Sequence, residues 1–159
     1  MYMKFWLLNL IHIGYTQFFI KIINIPIYNC GLCNFHDIVL AKMDEFNVND
    51  TMYKNLYAID FCPCENYMDS KVIKKLLLGK SIPGKIQVHY IDKVDIDSLT
   101  TNFNTINKKL VSVESIKKID SHLYKLLQSW NTSYHLYKHN CQSFSHYIRT
   151  NAYTIDQKN

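Results

Sequence analysis

The stretch FHDIVLAKMDEFNVNDTMYKNLYAIDFC, residues 35–62, decides the fold. Residues 35–43 are apolar and β-branched and predict a strand. EFNVNDT, 45–51, reads as a polar turn. Residues 55–62 set Leu56 and Ala58 against Tyr57, Ile59 and Phe61, which predicts the returning strand of a hairpin. Two such strands joined by so short a connection must be antiparallel.

Upstream of the hairpin, INIPIY (22–28) alternates and then meets Pro26, which marks a short or edge strand. YNCGLCN, 28–34, reads as a turn built on Asn29 and Gly31. Downstream, GKIQVHYI (84–91) is the clearest strand, with Ile86, Val88 and Tyr90 on one face and Lys85, Gln87 and His89 on the other. The period then changes. A helix is predicted over 71–78, capped by Asp69 or Ser70 and ended by Gly79. A second is expected over 95–110, with Asp97 or Ser98 as its cap. A third is expected over 112–130, where Ile116, Ile119, Leu123, Leu126, Leu127 and Trp130 form an apolar stripe. YHLY (134–137) reads as extended or turn-like. A last helix starts near Asn140 and runs through Ile148. The expected class is α+β, an antiparallel sheet packed against helices, in one domain over 21–159.

Residues 3–20 predict a separate apolar helix, with Phe5, Leu8, Ile11 and Tyr15 at helical spacing. Asn9, His12, Thr16 and Gln17 interrupt it, and polar groups are costly inside a bilayer. The basic start and short apolar run fit a signal peptide loosely, but no Ala-x-Ala-like cleavage site follows. A packed or interfacial helix is the expectation; membrane or lipid contact through 3–20, and a signal or anchor, stay open.

The bulk composition excludes several classes. Of 159 residues, 48% are hydrophobic and 14% aromatic, enough to build a core rather than a disordered chain. The net charge of +5 is spread out, with no block of five like charges, and Arg149 is the one arginine among 18 basic residues. Nucleic-acid binding would want a clustered, arginine-containing stripe, so no nucleic-acid partner is expected. Abundant Asn, Ile, Lys and Tyr have A/T-rich codons, which fits a strongly biased genome such as that of a large DNA virus or a parasite. Five cysteines is an odd number, which favours reduced thiols in a cytoplasmic setting over a disulfide framework.

The chemistry concentrates in KHNCQSFSHYI, 138–148. A thiol attacks as thiolate, and a helix N-terminus or a nearby imidazolium favours that form. Asn140 is a good N-cap, which would put Cys141 in the first turn, and Asn140 and Gln142 are candidates for cap or oxyanion support. His139 and His146 are poorly placed to serve as the base: one is the sequence neighbour, the other lies more than a turn away. The better candidate is His36, at the start of a strand. A third group must orient its ring. Asp60, an isolated charge between Ile59 and Phe61, is the first candidate, and His89 is the alternative.

FHDIVL, YAIDF and HNCQSF, in that order, resemble the permuted papain-like cysteine proteins. This superfamily includes lecithin:retinol acyltransferase-like proteins, viral H-box/NC proteins, NlpC-type peptidases and PPPDE-type isopeptidases. There a histidine on an early strand precedes a late "NC" helix. The resemblance spans 36–148 and implies Cys141 as nucleophile, His36 as base and Asp60 as the third residue. It further implies a thioester-forming hydrolase or acyl transferase, without a cofactor, acting on an ester, amide or isopeptide bond. Two features depart from the pattern: Asp37 directly follows the histidine, and the spacing from His36 to Asp60 is longer than in the acyltransferase group.

The other cysteines offer a competing reading. Cys30 and Cys33 have zinc-knuckle spacing, while Cys62 and Cys64 flank Pro63. If the two pairs met, four thiolates would make a structural zinc site. The chain would then be a zinc-stabilised adaptor. A separate reading, with or without zinc, is a catalytically inactive viral or host-interaction module on the same fold.

Overall fold

The computed structural model describes residues 20–25, 36–48, 51–66, 69–94, 103 and 105–152. Six strands form one antiparallel sheet: β1 (Ile20–Ile25), β2 (His36–Val48), β3 (Thr51–Pro63), β4 (Ile82–Val94), β5 (Lys109–Val111) and β6 (Ser133–Tyr134). The order is β1-β2-β3-β4-β5, with β6 pairing the start of β4 through Ile82 and Tyr134. Among the described residues four helices follow the same numbering: α1 (Ser70–Leu77), α2 (Glu114–Lys117), α3 (Ser121–Ser129) and α4 (Cys141–Ala152). This is the α+β class with an antiparallel sheet that the alternating segments predict.

The sheet is covered on both sides at its centre. Val39, Ala41, Ile59, Phe61 and Val88 point to one face, where they pack with Ile116, Leu123, Leu127, Phe144 and Ile148 of the helices. Ile38, Leu40, Leu56, Ala58 and Ile91 point to the other and pack with Val94 and Phe103. Double coverage explains why IVLA, 38–41, is continuously apolar: all four residues are buried.

Helix ends follow their local chemistry. Asp69 caps α1, its Oδ1 accepting from Lys71 N at 2.8 Å. Gly79, at φ 68°, closes the same helix, with Gly79 N donating to Leu76 O and Lys80 N to Lys75 O. That pair of bonds is the αL stop that glycine enters without a Cβ clash.

The structure corrects three expectations. The turn at 45–51 is mostly strand, since Glu45 through Val48 pair with Lys54 through Thr51. Pairing satisfies backbone groups that a polar stretch would otherwise leave to water, and so carries the ladder past the last apolar run. The helix expected over 95–110 does not reach its end. Lys109–Val111 instead forms β5 on the free edge of β4, and 95–102 lie outside the described residues. The single helix over 112–130 is two. Asp120 adopts an extended conformation and its Oδ1 accepts from His122 N and Leu123 N, which starts α3 afresh. The apolar helix expected over 3–20 and the turn at 28–34 also lie outside the described residues, apart from Ile20 in β1. Among the described residues no helix is long and apolar enough to cross a membrane.

Candidate active site

Two elements far apart in sequence bring the candidate residues together. His36 opens β2, paired with Ile25 of the edge strand β1. Asp60 lies on β3, one register position beyond the Val39–Ile59 pair. Both belong to the same face as Ile38, Leu40 and Ala58, and His36 Nε2 sits 3.0 Å from Asp60 Oδ2. The two side chains are only 16% and 14% exposed, so the contact is largely shielded from water.

Cys141 is the first residue of α4 and 7% exposed. Its side chain and charge both act on the His36 ring, which puts the sulfur beside the imidazole that Asp60 contacts. Burial alone would lower the histidine pKa. The hydrogen bond to Asp60 opposes it, joined by the hydrogen bond to Cys141 and the charges of both groups, and His36 is raised to about 10. That direction favours the imidazolium form of the ring.

Asn140 builds the helix start. Its Oδ1 accepts from Gln142 N and Ser143 N, both at 3.0 Å, while its own N–H donates to Ser143 Oγ at 2.7 Å. Its Nδ2 donates to Leu136 O at 2.7 Å, which ties the cap to the incoming loop. The cap therefore engages the N–H groups of Gln142 and Ser143. The Cys141 N–H takes no part in it. The Gln142 side chain is exposed.

Sequence reasoning missed the contact that seats this helix. Asp37, adjacent to His36 but on the opposite face, lies with its Oδ2 2.8 Å from Ser145 Oγ of α4. Ser145 is buried, and its hydroxyl also lies 2.9 Å from Gln142 O. The Asp37 that departs from the H-box pattern thus links the histidine strand to the cysteine helix. Nothing local marks Ser145, which is an ordinary residue on a polar-apolar helix.

The remaining candidates separate from the site or serve the frame around it. His89 pairs with Ala58, two residues along the strand from Gln87, the partner of Asp60. Burial lowers its pKa, the Asp60 charge opposes this and the Lys108 charge adds to it. The orienting contact on His36 comes from Asp60, not His89. His139 stacks on Trp130 at 4.1 Å and 11°, and its Nε2 donates to Asn131 O at 2.7 Å, which braces the loop entering α4. His146 is exposed. Cys62 shares the Asp60 face, and burial, then the Asp60 charge, pushes its thiol up to about 12 against the pull of Lys85.

Cys30 and Cys33 lie outside the described residues, and Cys62 and Cys64 are free thiols. Among the described residues no three His, Cys, Asp or Glu side chains are arranged to hold a metal ion. No protein-family model, curated protein or solved structure matches the chain.

Proposed function

We propose that the chain is a cysteine-nucleophile hydrolase or acyl transferase on a permuted papain-like fold, working through a thioester. One observation carries the reading: the His36 ring lies 3.0 Å from the Asp60 carboxylate, with Cys141 acting on the same ring from the start of α4. With Nε2 engaged by Asp60, Nδ1 is the ring nitrogen left for the sulfur. In the reaction, the Cys141 thiol proton resides on His36 as the sulfur attacks a carbonyl carbon; the carbonyl π pair moves to oxygen, where the Cys141 N–H receives the charge. The tetrahedral adduct collapses as His36 gives its proton to the leaving oxygen or nitrogen, which leaves a thioester on Cys141. His36, now neutral, takes a proton from water or an acceptor nucleophile that attacks the thioester. The acyl group departs and the thiolate–imidazolium pair returns. Asp60 holds the ring orientation and balances its charge throughout.

The order of elements supports the same fold assignment, with the histidine strand early, the carboxylate on the next strand and the cysteine helix last. Esters, amides and isopeptides all present the carbonyl this chemistry needs. The test is acyl trapping with an activated aryl ester. Wild type is expected to release a burst of phenolate and to gain one acyl mass on the Cys141 peptide. Cys141→Ala should show neither, and His36→Gln should acylate on the order of a hundredfold or more slowly. An acyl adduct that forms elsewhere, or a burst that survives Cys141→Ala, would sink the proposal. A folded wild type whose Cys141 stays inert would make the domain a binding module instead.

A further inference from the structure

Among the described residues four large apolar side chains are exposed; Leu110 stands apart on β5, and the other three adjoin. Leu77 and Leu78, at the end of α1, are 45% and 64% exposed, and Tyr137 is 61% exposed. Tyr137 Oη donates to Leu77 O at 3.3 Å, so the three side chains share one surface. The same seam continues at Gly79, where an added Cβ would lie 3.9 Å from His135 Nε2. Single exposed leucines are ordinary, but an adjoining group of three large ones at one helix end marks a contact surface. The αL stop at Gly79 fixes the chain path there, so the leucines are held outward by the closure of the helix.

The rim of this patch is basic. Lys74 lies one helical turn before Leu77, Lys80 two residues after Leu78, and Lys138 directly after Tyr137, and all three are exposed. We propose that this surface, Leu77, Leu78 and Tyr137 ringed by Lys74, Lys80 and Lys138, docks the protein on an anionic lipid bilayer. Each element has a partner there: the leucines enter the acyl boundary, tyrosine suits the interface, and lysines attract anionic headgroups. A protein partner fits less well, because lysine is depleted at protein interfaces. Nucleic acid fits less well because the rim holds no arginine and the centre is aliphatic. Residues 135–140 run from this patch directly into Cys141, so docking would bring the α4 start toward the bilayer surface.

The test is co-sedimentation of the full chain with vesicles, and it is independent of Cys141 chemistry. Wild type should sediment with phosphatidylcholine vesicles containing about 30 mol% phosphatidylserine, and weakly with phosphatidylcholine alone. Leu77→Ser with Leu78→Ser should weaken binding on the order of tenfold. Lys74→Glu with Lys80→Glu and Lys138→Glu should weaken it at least as much, and raised salt should mimic the loss. All five substituted sites are exposed, and circular dichroism checks that each variant stays folded. Cys141→Ala should bind as wild type does. Absent binding by wild type overturns the proposal. So does binding unchanged in both variants, which would place lipid contact elsewhere, such as residues 3–20. Equal binding to neutral vesicles overturns the electrostatic half.

Discussion

His36 Nε2 lies 3.0 Å from Asp60 Oδ2, and the ring is raised to about 10 despite a burial that works the other way. A histidine raised on folding contributes stability that is fully present below its unfolded pKa of about 6.5 and lost as pH rises through the folded value. Wild type should therefore lose stability between pH 6.5 and about 10 through this group. In Asp60→Asn the contribution should shrink and vanish at lower pH. Imidazole titration by NMR locates the shift, and urea midpoints across this range read its effect. A His36 that titrates near its ordinary value in wild type would contradict the ion-pair reading.

Cys141 and Cys62 should differ in alkylation in a way that exposure does not predict. Cys62 is the more exposed of the two, but its thiol is pushed up to about 12 and stays protonated. Cys141 faces an imidazolium. Iodoacetamide at neutral pH should therefore modify Cys141 before Cys62, read by peptide mass mapping. His36→Gln should slow the Cys141 reaction and leave the Cys62 reaction unchanged. Faster labelling of Cys62 in wild type would remove the chemical distinction between them.

Ser145→Ala tests the seating of α4. The Ser145 hydroxyl lies 2.8 Å from Asp37 Oδ2 and is buried. Its removal takes a charge-assisted partner from Asp37 and should cost about 1–3 kcal/mol in denaturant unfolding. If the contact also positions Cys141 against His36, acylation should fall about tenfold or more at saturating substrate, with a smaller change in KM. Ser145→Thr, which keeps the hydroxyl, should recover part of both. A stability loss with unchanged kcat would confine Ser145 to packing.

How far the site was legible depends on the range of each signal. His36 and Asp60 stood out because charges inside apolar strands ask for a partner, and the hairpin between them limits where each can fall. Cys141 stood out because Asn140 marks a helix start. The Asp37–Ser145 contact was invisible because it joins residues at |i−j| of 108, and no local rule sets how a terminal helix lies on a sheet. The fold shows the same division. Leu110 sits in a lysine-flanked stretch without alternation, and it is strand only because the edge of β4 is open to pair. Asp120 lies inside an apolar stripe of continuous helical period, and only its extended backbone turns it from a helix residue into a cap.

Gly84→Ala should destabilise the sheet end and press on the packing under α4. A Cβ at Gly84 would lie 2.7 Å from Phe61 Cε2 and Cζ and 3.0 Å from Thr132 O. The Phe61 ring cannot easily yield, because it packs edge-on against Trp130 at 5.7 Å and tilted against Phe144 at 5.9 Å. Backbone cannot easily yield either, since Gly84 N donates to Thr132 O at 2.6 Å. Overpacking of this kind costs about 1–3 kcal/mol, read as a lowered denaturation midpoint. Phe61→Leu in the same chain should relieve part of the Gly84→Ala loss if the ring is the obstacle, because the two changes then couple rather than add. Strict additivity would assign the strain to the Thr132 carbonyl instead. The Phe61 ring also packs on Phe144 of α4 and on His139 before it, so a shifted ring should change the Cys141 alkylation rate, and an unchanged rate would place the relaxation at Thr132.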